Sequence, residues 1–171
     1  MVAGLRGVSW SCTEIVALAT KAARGAGAPP LQAARFGQAA VQHLLQNREV
    51  PDLQSALSSL PGGPITTFPR VLDAALAQSA HSNSVEIGVA YSSLLQSYAE
   101  CLAFQVALKD CDGTCLVTIH ANMPDAPAIA GRISGCDALL VQMEALAERT
   151  FVPETEQSRS IGAGAGLTDN D

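Results

Sequence analysis

Apolar positions recur at helical spacing through the first half of the chain, and a stretch of strict alternation begins after residue 84. Ser11-x-x-Glu14 is a capping box, with Trp10 one position ahead of it and placed to staple onto Ile15. Ile15, Leu18, Ala19 and Ala22 then form a stripe that predicts a first helix. Gly25 or Gly27 ends it, with Lys21 and Arg24 in the last turn, where cations suit the helix dipole. Pro29 and Pro30 interrupt, and Leu31 to Asn47 resumes as a second helix with Phe36, Ala40 and Leu44 on one face and Val41 and Leu45 beside them. Pro51 to Leu60 reads as a short third helix, and Pro61-Gly62-Gly63-Pro64 as a firm break. Thr66 or Thr67 caps a fourth helix that holds Pro69 in its first turn and runs to about Ala80.

Beyond the polar loop His81–Ser84, Val85, Ile87, Val89 and Tyr91 alternate with Glu86, Gly88 and Ala90, the period of a half-buried strand. Ser92–Ala103 admits a helix or a longer strand, and the helical spacing of Leu94, Leu95, Tyr98 and Leu102 favours the helix. Phe104–Leu108 and Thr114–Ala121 read as a hairpin closed through Asp112-Gly113. Asn122–Ala128 carries two prolines and reads as loop, and Ile129–Ile133 as an edge strand. Asp137–Arg149 is a last helix with Leu139, Leu140, Met143, Leu146 and Ala147 as its apolar face. The fold class expected is α+β: an Ala-rich helical N-terminal half, then a small antiparallel sheet with a long C-terminal helix packed on it. Residues 1–149 form one domain in this reading, helical over 11–80 and sheet-containing over 84–149, and residues 150–171 are an extended tail.

Composition adds two constraints. Hydrophobic residues make up 48% of the 171 and charged residues 15%, so much surface must be buried or covered by a partner, and self-association or a protein partner is expected. Aromatic residues are 4%, which leaves alanine and leucine to build the core. The net charge of −6, with no run of Lys or Arg, argues against nucleic acid. No apolar run approaches the ~18 residues of a membrane span, and the opening MVAGLRGVSW lacks the apolar core of a signal peptide. Five unevenly placed cysteines suit a reducing compartment, so the expected location is the cytoplasm.

Chemical motifs are sparse. Cys111-x-x-x-Cys115 brackets a turn, but only His120 stands near, too few ligands for zinc. His43 lies among apolar positions between two glutamines and reads as hydrogen-bonded, not ligating. No G-x-S-x-G, H-E-x-x-H or P-loop occurs, and neither cofactor nor metal is expected. The most distinctive stretch is the last. Gly162, Gly164 and Gly166 alternate with alanine, a spacing that fails as a dinucleotide fingerprint but whose N–H groups suit an anion-binding nest. Leu167 follows as an apolar anchor, then the oxygen-rich run Thr168, Asp169, Asn170 and Asp171, suited to capping, hydrogen bonding or a hard cation. Glu154 and Glu156 would do acid–base work only if desolvated.

Lys21-Ala22-Ala23-Arg24-Gly25-Ala26-Gly27, Arg149-Thr150-Phe151-Val152-Pro153, Ser158-Arg159 and the run from Gly162 to Asp171 resemble a family of small proteobacterial proteins known as a domain of unknown function. The resemblance is specific at the two ends of the chain and weak between them. It implies that the tail belongs to the working design and implies no activity.

Arg24, Gly25 and Gly27 at one end, and Arg159, Gly162, Gly164, Gly166, Leu167, Asp169 and Asp171 at the other, are therefore the candidate interaction or anion-binding residues. The leading expectation is a non-catalytic accessory or oligomer-forming subunit that docks through its tail. The alternative is an enzyme, or half of a heteromeric one, acting on a small anionic metabolite. Arg24, Arg159 and the glycine backbone would hold that anion, and Asp169 or Asp171 would bind a metal or move a proton.

Overall fold

The computed structural model describes residues 9–79, 85–87, 92–112, 114–125 and 130–150. In chain order these form β1 (Trp10–Ser11), α1 (Cys12–Gly25), α2 (Pro30–Leu45), α3 (Val50–Ser58), α4 (Pro64–Ser79), β2 (Val85–Ile87), α5 (Ser93–Ala99), β3 (Phe104–Cys111), β4 (Thr114–Pro124), β5 (Arg132–Ile133) and α6 (Asp137–Ala147). A single 3-10 turn, Glu148–Thr150, follows α6. The class is α+β, with helices leading and a small antiparallel sheet behind them.

α1 begins at the expected box: Glu14 N donates to Ser11 Oγ at 3.2 Å and Ser11 N to Glu14 Oε2 at 2.8 Å. It ends in a Schellman motif. Gly27, at φ +102°, turns the chain so that its N–H reaches Arg24 O at 3.0 Å and the next N–H, of Ala28, reaches Ala23 O at 2.9 Å. α2 ends the same way with asparagine in the left-handed position: Asn47, at φ 51°, bonds Leu44 O, and Arg48 N bonds His43 O, both at 3.1 Å.

α1 is the central helix, packed against α2 on one side and α6 on the other. Two glycines set these approaches. A β-carbon at Gly37 of α2 would stand 2.7 Å from the Val16 carbonyl, and one at Gly25 would stand 1.8 Å from the Leu146 carbonyl. The core between the helices is correspondingly small-grained, with Ala19, Ala22, Ala23, Ala33, Ala39 and Ala40 wholly buried around Ile15 and Phe36. The C-terminal helix, expected on the sheet, instead lies on α1 and α3, because its Leu139, Met143 and Ala147 face is received where Gly25 leaves room.

The three-stranded sheet has the order β2-β4-β3, all antiparallel. α4 covers it, over the buried face formed by Cys115, Val117 and Ile119 of β4. The hairpin turn is as short as Asp112-Gly113 suggests, with Cys111 opposite Thr114 and Asp112 at φ 50°. β4 runs on through Asn122 to Pro124, which sequence reading assigned to loop. Proline is tolerated there as the terminal residue, opposite Phe104 across a register shift. The Ile129–Ile133 strand reduces, among the described residues, to Arg132–Ile133, paired with Trp10–Ser11 in a separate two-stranded ladder. α4 starts at Pro64, before the expected threonine cap, because Pro64 already fixes a helical φ; Pro69 therefore lies inside the helix.

Candidate functional site

Two places in the described structure gather polar or distinctive residues. The first is the seam between α2 and α5. The left-handed turn at Asn47 sends Arg48 back across the end of α2 toward α5. Its guanidinium donates to Glu100 Oε1 at 2.5 Å, and its Nη1 to Glu100 Oε2 and to Ser97 Oγ, each at 2.8 Å. Gln42 and Gln96 add donors to the same carboxylate at 3.2 Å and 3.1 Å. Burial alone would push the Glu100 carboxyl up, but the bonds from Arg48, Gln42 and Gln96 outweigh it and hold it below its ordinary value.

His43 is fully buried in the same seam, with Nδ1 2.9 Å from Ser97 Oγ and Nε2 2.9 Å from the Glu49 carbonyl. A carbonyl only accepts, so Nε2 carries the proton. Burial pushes the imidazole below its ordinary value, with Arg48 adding to the shift, while the Glu49 carbonyl, Asp52 and Glu100 oppose it. The ring is therefore neutral, and Nδ1 accepts the Ser97 hydroxyl proton, for which the Ser93 carbonyl, also 2.9 Å away, competes. Ser93 donates in turn to Asp52 of α3.

A serine on a histidine suggests nucleophilic chemistry, but the geometry is that of a structural tie. The second ring nitrogen meets a backbone carbonyl, where a triad would place an acid. Ser97 is 0% exposed and Arg48 already donates to its oxygen, so no substrate carbonyl reaches it. The seam joins α2, α3 and α5.

The second place is the C-terminal end of α1. Arg24 is exposed on its last turn. Gly25 abuts the Leu146 carbonyl, and a β-carbon there would also meet the Arg149 β-carbon at 3.4 Å. The segment Lys21–Gly27 and the segment that begins at Arg149 are far apart in sequence and touch here. Gly27 shares the end of α1, although its N–H and those of Ala26 and Ala28 are all donated to carbonyls of that helix. Lys21, Arg24 and Arg149 are exposed and form no ion pair among the described residues. Arg159, Gly162, Gly164, Gly166, Leu167, Asp169 and Asp171, with Glu154 and Glu156, lie outside the described residues.

The cysteine pair separates: Cys111 is exposed and Cys115, opposite Asp110, is buried on the other face of the hairpin. No group of three or more potential metal ligands occurs among the described residues, and none of the described helices is long and apolar enough to cross a membrane. Sequence reading missed Arg48, Ser97 and Glu100 altogether. The one local signal was Asn47 followed by Arg48 at a helix end, the pattern of an asparagine C-cap that redirects the next side chain. Comparison with protein-family models, with curated proteins and with solved structures finds no match to this chain.

Proposed function

We propose that this protein is a non-catalytic accessory or oligomer-forming subunit that docks, through its C-terminal segment, on a protein partner or a second copy of itself in the cytoplasm. The observation that carries this reading is the contact of Gly25 with Leu146 and Arg149. It gathers, at the C-terminal end of α1, the described parts of two segments of the family resemblance, Lys21–Gly27 and Arg149–Thr150. The C-terminal segment is acidic, with Glu154, Glu156, Asp169 and Asp171 against Arg159, and carries Leu167 as an anchor. The commitment of His43, Ser97, Arg48 and Glu100 to one another supports a scaffold over a catalyst.

The test is the mass of the purified protein by sedimentation, full length against a chain ending at Ile161. A full-length assembly that falls to monomers on truncation, with the helical circular dichroism unchanged, is the expected result. Equal masses would overturn docking between copies, and failure of the full-length chain to retain any partner lost on truncation would overturn docking altogether.

The alternative, an enzyme or enzyme subunit for a small anionic metabolite, draws on Lys21, Arg24 and Arg149, three exposed cations on adjoining elements. Calorimetry with inorganic phosphate and with a dicarboxylate, on the full chain and on Arg24→Gln, separates the two. Heat that saturates and is lost in the variant favours the metabolite.

A further inference from the structure

Arg149 comes to α1 from the far end of the sequence, and Gly25 is the residue that admits it. A β-carbon on Gly25 would stand 3.4 Å from the β-carbon of Arg149. Lys21 precedes Gly25 by one helical turn and Arg24 by one residue, so the three cationic side chains spring from points within about 10 Å of one another. All three are exposed, and none has an ion pair among the described residues. Glu148, beside Arg149, offsets one of the charges and leaves the group net positive on a chain whose net charge is −6. A helix dipole favours a cation at each C-terminus separately, but like charges inside one Debye length also repel. An anion between them removes that repulsion and takes bonds from the arginine forks. Leu146, whose carbonyl meets Gly25, is half-buried and supplies apolar ground beside the charges.

We propose that this surface on one copy of the chain receives the run Leu167–Asp171 of a second copy, in a reciprocal exchange. Asp169 and Asp171 pair with Lys21, Arg24 and Arg149, and Leu167 rests on Leu146. The inference rests on the docking role proposed above for the C-terminal segment and supplies its receptor. Charge selects the occupant. Asp169 and Asp171 stand two apart beside an isolated leucine, with no basic residue after Arg159, whereas Glu154 and Glu156 have that arginine within a few positions. The chain from Thr150 to Asp169 spans up to about 60 Å when extended, enough to cross to a neighbouring molecule. Reciprocity makes the contact twice, and individually weak surface ion pairs then act together.

The experiment is sedimentation equilibrium of the full chain and its variants, beside the chain ending at Ile161. Lys21→Glu with Arg24→Glu reverses the receptor, and Asp169→Lys with Asp171→Lys reverses the ligand. Each pair is expected to weaken the dimer roughly tenfold or more. All four substitutions in one chain are expected to restore it to within about threefold of the native constant. Arg70→Glu with Lys109→Glu changes the net charge equally at exposed cations on α4 and β3, and should leave the dimer unchanged. If loss of residues 162–171 dissociates the dimer while reversal of Lys21 and Arg24 does not, this proposal falls and the docking role stands. Equal masses for the full-length and truncated chains overturn docking between copies and this proposal with it. Reversals that each dissociate the dimer but fail to restore it together overturn the pairing. A native chain that is monomeric at every concentration overturns the exchange.

Discussion

Gly25, the last residue of α1, meets the carbonyl of Leu146 in α6 so closely that a β-carbon on it would lie 1.8 Å from that oxygen. Backbone on both sides leaves no flexible side chain to yield, so Gly25→Ala must push α1 and α6 apart. The expected loss is about 3 kcal/mol, at the upper end of overpacking costs. Gly27→Ala makes the contrast. Among the described residues its β-carbon would meet only Pro61, at 3.6 Å, and the cost is the left-handed φ of +102°, about 1–2 kcal/mol. Urea midpoints should rank native, Gly27→Ala and Gly25→Ala in falling order; a reversed order of the two variants would refute the close helix approach.

Arg48 and Glu100 are partly buried, with side-chain exposures of 13% and 30%, and each serves other groups as well as its partner. Arg48→Met removes the donor to Ser97 as well as the ion pair, leaving a partly desolvated carboxylate served, among the described residues, by Gln42 and Gln96. The expected cost is about 2–3 kcal/mol, below the value for a fully buried pair because water reaches Glu100. Glu100→Gln keeps the shape and should cost less. Equal losses in the two variants would mean that the charge on Arg48, not its bond to Ser97, carries the tie.

What the sequence made legible was local. Ser11 and Glu14, three residues apart, announce a helix start that chain geometry alone fixes, and Asp112-Gly113 announces the hairpin. The Arg48–Glu100 pair spans 52 residues, and neither partner stands out along the chain, since Arg48 lies beside Glu49 and Glu100 in an ordinary helix end. The placement of α6 on α1 was equally hidden. An apolar stripe such as Leu139, Leu140 and Met143 states that a face is buried, not against what. Gly25 looked like a helix stop and is also a contact surface, two demands that select the same residue and that sequence alone does not separate.

The five free cysteines should separate by exposure. Cys111, exposed at the hairpin end, is expected to react first with a chromogenic disulfide reagent at pH 8. Cys101 should lag well behind, because burial pushes its thiol up to about 11, with Glu100 adding to the shift and Arg48 opposing it. Cys115 and Cys136, buried on the sheet and ahead of α6, should appear only with denaturant. Peptide mapping of the first thiol labelled checks the order, and early labelling of Cys115 would contradict the hairpin register.

Tyr98→Phe should stabilise the protein. The hydroxyl is buried without a partner among the described residues, so its removal recovers a desolvation cost of about 1 kcal/mol while the ring keeps its contact with Phe68. In a chain of 171 residues that corresponds to a rise in melting temperature of about 2–4 °C. A fall would mean that the hydroxyl has an acceptor within the protein.

Acid should destabilise the fold in two stages, both of the same sign. His43 is held below its ordinary value in the fold, chiefly by burial, so the unfolded chain takes up the proton first as pH falls below about 6.5. Stability is then full above that value and declines as pH drops toward the folded pKa. Glu100 is also depressed, because the bonds from Arg48, Gln42 and Gln96 exceed the opposing effect of burial. Its contribution is present above the ordinary value of 4.5 and is lost as pH falls through the lower folded value. Urea midpoints measured from pH 7.5 to pH 3.5 should therefore fall below about 6.5 and fall again below about 4.5. His43→Asn lowers the whole curve, since it opens the seam, but should flatten the first decline and leave the second. A first decline that survives in His43→Asn would assign it to another group and remove the neutral buried imidazole from the account of the α2–α5 seam.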